Sequence, residues 1–156
     1  MKPTPPGWPR ISSSLHYQDA NAAIEWLGQA FGFEPRLIVE GDDGAIVHSE
    51  LVFAEGMVMV SSAARCPWYR SPRAIGGGNT QSLMVFVDDV EAHCARARAS
   101  GATIATEPTT SDYGEEYWTD RSYEALDCEG HHWWFCQRLA SATRPRSGGV
   151  RVKENG

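Results

Sequence analysis

The order strand, helix, strand, strand, strand is written twice in this chain, and no other feature restricts its fold as strongly. In the first copy ISSSLHYQD reads as a strand and DANAAIEWLGQAFGFEP as a helix, with Asp19 suited to cap its start and Gly32 to end it. Ala23, Trp26, Leu27 and Ala30 recur at helical spacing and make its apolar stripe. RLIVE, IVHSELVFA and MVMVSS, parted by the turn formers GDDG and AEG, supply three strands. The second copy opens with SLMVFVDD, runs through VEAHCARARASGA to a stop at Gly101, and closes with ATIATEP, RSYEALD and HHWWFCQ. Asp19 aligns with Asp89, Gly32 with Gly101 and Gly56 with Gly130, at offsets of 69 to 74 residues.

The repeat predicts an α+β fold of tandem βαβββ modules, over residues 11–62 and 81–137. A Pro-rich segment (1–10), a linker (63–80) and a tail (138–156) fall outside it. The polar tail reads as disordered or loosely draped. The linker ARCPWYRSPRAIGGGNT suits either a mobile flap carrying Trp68 and Tyr69 or a plain connector.

With 156 residues, 42% of them hydrophobic, the chain can bury one sizeable core. A net charge of −6 offers no basic face for a phosphate backbone, so nucleic acid and anionic membrane surfaces are poor partners. No apolar run spans a bilayer, and MKPTPPGWPR has no secretory core, which points to the cytoplasm. Cys66, Cys94, Cys128 and Cys136 form no CxxC pair and read as reduced packing thiols.

Strand alternation divides the side chains between a helix-facing set and an outward set. Ile11, Leu15 and Tyr17 suit the helix side, leaving Ser12, Ser14 and His16 outward. Leu83, Val85 and Val87 likewise leave Ser82, Met84 and Phe86, and Leu51 and Phe53 leave His48 and Glu50. Trp133 and Phe135 leave His132, Trp134 and Cys136. His93 lies among charged helical neighbours and reads as solvated. No serine or cysteine sits in a GxSxG elbow, and GGGNT lacks the Lys-Ser/Thr of a phosphate loop.

The segment YGEEYWTDRSYEALDCEGHHWWF resembles the closing pattern, YGxRxY then DPxGHxW, of the vicinal-oxygen-chelate superfamily of glyoxalases, bleomycin-resistance proteins and ring-cleaving dioxygenases. The resemblance covers residues 11–137, with Asp127, Gly130, His131 and Trp133 in place, Cys128 where proline is usual, and EEYWTD as an added stretch. It implies curved mixed sheets enclosing a cleft for metal or ligand, and a homodimer. Metal-dependent members place histidine seven residues before the aspartate ending each first strand and glutamate four after the last glycine. Those positions here hold Ser12, Ser82, Val60 and Trp134, none of which supplies the nitrogen or carboxylate a catalytic metal needs.

The resemblance and the outward set together predict a metal-free, antibiotic-resistance-like binder of an aromatic or planar small molecule, without cofactor. Its ligand would contact Ser12, Ser14, His16, His48, Glu50, Trp68, Met84, Phe86, His132 and Trp134. Two alternatives stay open: a lyase, isomerase or dioxygenase holding a divalent metal on His16, His48 and Glu50 with His132, and a metal-free proton-transfer enzyme using His16 or His48 as base.

Overall fold

The computed structural model describes residues 1–145; the rest of the tail assigned from the sequence, 146–156, lies outside the described residues. The first module comprises β1 (Ser13–Tyr17), α1 (Ala20–Phe31), β2 (Glu34–Glu40), β3 (Ile46–Phe53) and β4 (Gly56–Ser62). The second comprises β5 (Ser82–Phe86), α2 (Val90–Ala99), β6 (Thr103–Asp112), β7 (Thr119–Leu126) and β8 (His132–Ala140). Each forms one mixed four-stranded sheet, ordered β1-β4-β3-β2 and β5-β8-β7-β6, whose first and last strands pair in parallel.

Both helices start and stop where their capping residues dictate. Asp19 accepts from the Ala22 N–H and Asp89 from the Ala92 N–H, each at 3.0 Å, satisfying a donor the first turn cannot. Gly32, at φ 84°, takes the left-handed turn that closes α1.

The modules share one core, because the helix-facing sides of both sheets meet around α1 and α2. Phe31 of α1 packs on Trp133 and Phe135 of β8, with ring centroids 5.5 and 4.7 Å away. All three side chains are fully buried, each contributing about 1.5–3 kcal/mol of hydrophobic stabilisation. Glu129, in the turn before β8, accepts the backbone N–H groups of Gln18 (2.8 Å) and Asp19 (2.9 Å) and the Ser71 hydroxyl. One carboxylate thus joins the first module, the linker and the second module.

Three expectations are corrected. Ile11 is 89% exposed rather than helix-facing, because β1 begins only at Ser13 and nothing pairs ahead of it. His93 is not solvated: its ring lies between the Tyr123 hydroxyl (2.7 Å) and the Phe31 carbonyl (3.0 Å) at the junction of the modules. β8 runs on to Ala140, because Arg138 and Ala140 pair with Asp120 and Thr119 of β7, so residues 138–140 belong to the sheet and not the tail. Among the described residues no helix is long and apolar enough to cross a membrane.

Candidate functional site

The sheet faces turned away from the helices carry the polar and aromatic side chains of interest. Across sheet one, register places Ser14, Met59, Glu50 and Leu37 in one transverse row. Across sheet two the equivalent row is Met84, Trp134, Glu124 and Thr106. Neighbouring strands lie about 4.8 Å apart, so adjacent side chains in a row are close enough to touch one another.

Sheet one holds its polar groups in two clusters. Glu50 is 7% exposed and accepts from Arg36 Nε at 2.7 Å, with Nη2 of the same guanidinium in an ion pair with that oxygen at 2.7 Å, while His48 Nε2 lies 3.3 Å from its other oxygen. The Arg36 guanidinium holds the Glu50 carboxyl below the usual carboxylate range. His16 shares a hydrogen bond with the Ser61 hydroxyl (2.9 Å) and is stacked by Tyr69 of the linker, ring centroids 3.5 Å apart. Burial and the nearby His131 lower the His16 pKa. A cavity of about 350 Å³ lies here, walled by Ser14, His16, Trp68, Tyr69 and His131, with Trp68 83% exposed at its rim.

Sheet two is apolar towards β5 and polar towards β7. Met84 is 63% and Phe86 49% exposed. Trp134 stands beside them, half-buried; among the described residues no ring stacks on its indole and its N–H donates to no protein group. Cys136 follows on the same face but is buried. His132 Nδ1 lies 2.7 Å from Glu124 Oε1, and the Thr106 hydroxyl reaches the other oxygen at 3.4 Å. A cavity of about 390 Å³ beside Met84 and Phe86 is lined also by Phe33, Phe53 and Met57.

The ten residues read from the sequence therefore divide. Ser14, His16 and Trp68 share one cavity, Met84 and Phe86 another, and neither cavity includes Ser12, His48, Glu50, His132 or Trp134. His48 with Glu50, and His132 with Trp134, stand on separate sheets. Ser12 precedes β1 with a buried hydroxyl that has no partner, and Ser82 pairs with His132 across β5 and β8. Val60 is a correction. It is fully buried against the helices, because β4 starts at Gly56 itself whereas β8 starts two residues after Gly130. The outward residue opposite Ser14 is Met59, matching Trp134 opposite Met84.

The donor set at the family's metal positions does not fit an oxygen- and nitrogen-seeking metal: two serines, a thioether and an indole offer neither imidazole nor carboxylate. Among the described residues no three of His, Cys, Asp and Glu are grouped to hold an ion. Sequence reading missed Glu124, Met59 and Arg36, while Tyr69 was read only as part of a flap or connector. Only Glu124 had a usable signal, since buried Tyr123 and Ala125 flank it and alternation turns it outward.

Comparison with known proteins agrees with this architecture. The family described as the Glyoxalase/Bleomycin resistance protein/Dioxygenase superfamily matches residues 13–135. The uncharacterized protein Mb0911c of Mycobacterium bovis is 30% identical over 127 residues, 80% of each chain. Among solved structures, TioX from Micromonospora sp. ML1 superposes with a TM-score of 0.65 at 32% identity, covering 85% of this chain and 100% of its own. TnmS3, an antibiotic binding protein from Streptomyces sp. CB03234, superposes with a TM-score of 0.60 at 18% identity, over 81% of this chain and 93% of its own, which shows the fold alone.

Proposed function

The chain belongs to the Glyoxalase/Bleomycin resistance protein/Dioxygenase superfamily, and within it we propose a metal-free protein that binds and sequesters an aromatic or planar small molecule. The observation that carries this reading is Trp134. A half-buried indole with no stacking partner and no acceptor for its N–H among the described residues, set between Met84 and Glu124, is suited to receive a ring. Met84 and Phe86 extend the apolar floor, and large exposed apolar side chains grouped on one face mark interaction sites. The family's own description, which includes bleomycin resistance proteins, lends support to an antibiotic-resistance role.

The proposal includes a homodimer in the cytoplasm. Both outward faces are open within one chain, and β2 presents Leu37, Ile38 and Val39, each at least 40% exposed, so a second copy would close the hollows that one chain leaves shallow. All four cysteines are free, in keeping with a reducing compartment.

Titration of the purified protein with two- and three-ring aromatics built on naphthalene, acridine and anthraquinone tests the reading by calorimetry. Saturable binding that disappears in Trp134→Ala, with the fold retained by circular dichroism, is the expected result. Absence of saturable binding across the panel, or binding indifferent to Trp134→Ala, would overturn it. A stoichiometric divalent ion in protein purified without chelator, lost in His48→Ala, would favour the metal-dependent alternative instead.

A further inference from the structure

The two modules answer the same question differently at one pair of equivalent carboxylates, Glu50 and Glu124. Both β2 and β6 carry a one-residue bulge at the same point of the repeat. Pro35 pairs with Leu51 and Leu37 with Glu50, leaving Arg36 extra; Ile104 pairs with Ala125 and Thr106 with Glu124, leaving Ala105 extra. The bulge therefore aims the side chain of Arg36 at Glu50, and in the second module the aiming position holds only a methyl group.

The first module shows what fills such a site. One oxygen of Glu50 faces His48, and the other takes two guanidinium nitrogens of Arg36 at 2.7 Å. The guanidinium is covered by the Trp8 ring, its central carbon 5.3 Å from the centroid, and a further nitrogen donates to the Gly7 carbonyl at 2.5 Å. In the second module one oxygen of Glu124 again faces a histidine, His132 at 2.7 Å, but the other has only the Thr106 hydroxyl at 3.4 Å. Among the described residues no arginine or lysine pairs with Glu124. An aromatic ring is present as well, since Trp134 is the register partner of Glu124 on β8.

We infer that Glu124 is the specificity-determining residue of the Trp134 face, and that the ligand carries a guanidinium or protonated amine which occupies beside Glu124 the place Arg36 occupies beside Glu50. The inference rests on the binding function proposed above and names its ligand class: a planar ring bearing a cation one or two bonds away. The ring stacks on Trp134, and the cation forms a charge-assisted hydrogen bond with the carboxylate oxygen that His132 leaves free.

A matched pair of probes tests this: 1-naphthylmethylamine, cationic at pH 7.5, and 1-naphthylmethanol, of the same shape without charge. Calorimetric titration of the full chain is expected to show the amine bound about tenfold or more tightly than the alcohol, the scale of one hydrogen bond to a charged group. Glu124→Gln is expected to bring the ratio near unity by weakening the amine. Ala105→Arg, which keeps Glu124 but supplies a guanidinium from within, is expected to expel the amine selectively. No preference in the wild-type chain, or one that survives both substitutions, overturns the inference while Trp134-dependent binding of both probes leaves the binding function standing. If neither probe binds, or Trp134→Ala changes nothing, the binding function fails and this inference fails with it.

Discussion

The Tyr17 hydroxyl donates to Asp127 Oδ2 across 2.6 Å, tying the last residue of β1 in one module to the closing turn of the other. Both groups are buried, and burial, followed by the adjacent carboxylate, raises the Tyr17 pKa well above the phenol range, so the hydroxyl stays a donor. Asp127 also accepts the indole N–H of Trp133 and the backbone N–H groups of Glu129 and His131, each at 3.0 Å. Tyr17→Phe is expected to cost about 1.5–3 kcal/mol, the worth of one hydrogen bond to a charged group. Asp127→Ala is expected to cost more, on the order of 3–5 kcal/mol, because it strands several buried donors together. Urea unfolding measures both. Equal, small shifts would show that the turn holds without this carboxylate.

Glu129 ties stability to acid. Burial raises its pKa, but the Asp19 and Gln18 N–H groups and the Ser71 hydroxyl outweigh that effect and set it below the ordinary value. A depressed folded pKa contributes stability that is complete above the unfolded value of about 4.3 and is lost as pH falls through the folded one. Glu129→Gln should lower stability at pH 7 and flatten its decline as pH falls below about 4.3. An unfolding series across that range would contradict this if the two slopes were parallel.

His93 adds a second pH dependence at higher pH. Burial lowers its pKa below about 6.5, and the neutral ring accepts from Tyr123 on one nitrogen while donating to the Phe31 carbonyl on the other. The unfolded chain takes up a proton at this residue as pH drops below about 6.5, whereas the folded chain does so only lower down. Stability should therefore decline from pH 7 towards pH 5.5, by up to about 1.4 kcal/mol per pH unit for one such group. Substituting His93→Gln should reduce that slope without abolishing it, since His16 is lowered too. Thermal unfolding at half-unit intervals gives the comparison, and an unaltered slope counts against it.

How much of this was legible in the sequence depends on the range of the signal. The helix caps Asp19, Gly32 and Asp89 are local signals and end their elements as read. Alternation placed Leu15 and Tyr17 inward against Ser14 and His16, and Trp133 and Phe135 inward against His132 and Trp134, because the core selects one face of each strand. His93 was misread although Val90, Cys94 and Ala97 around it form an apolar helical stripe, since charged residues between them mask the period. Val60 went wrong by one residue, which in a strand turns a side chain to the opposite face. The bulges at Arg36 and Ala105 arise from pairing between distant segments, and no local composition announces them.

The equivalence of those bulges permits a test from the opposite direction. Arg36→Ala gives the first module the side chain that the second carries at Ala105, uncovering one oxygen of Glu50 while His48 stays on the other. Trp8 then loses the cation it covers and leaves an aromatic face beside an unpaired carboxylate. Glu50 is 7% exposed, so removing its partner leaves a largely buried carboxylate held by His48 alone; the variant should lose stability, and circular dichroism before titration checks that it stays folded. What should change is stoichiometry: 1-naphthylmethylamine is expected to bind at one further site per chain, and Glu50→Gln in the same variant should remove that site alone. A titration still saturating at the wild-type ratio would mean that a carboxylate left beside a histidine and an aromatic ring is not sufficient to hold a cation in this fold.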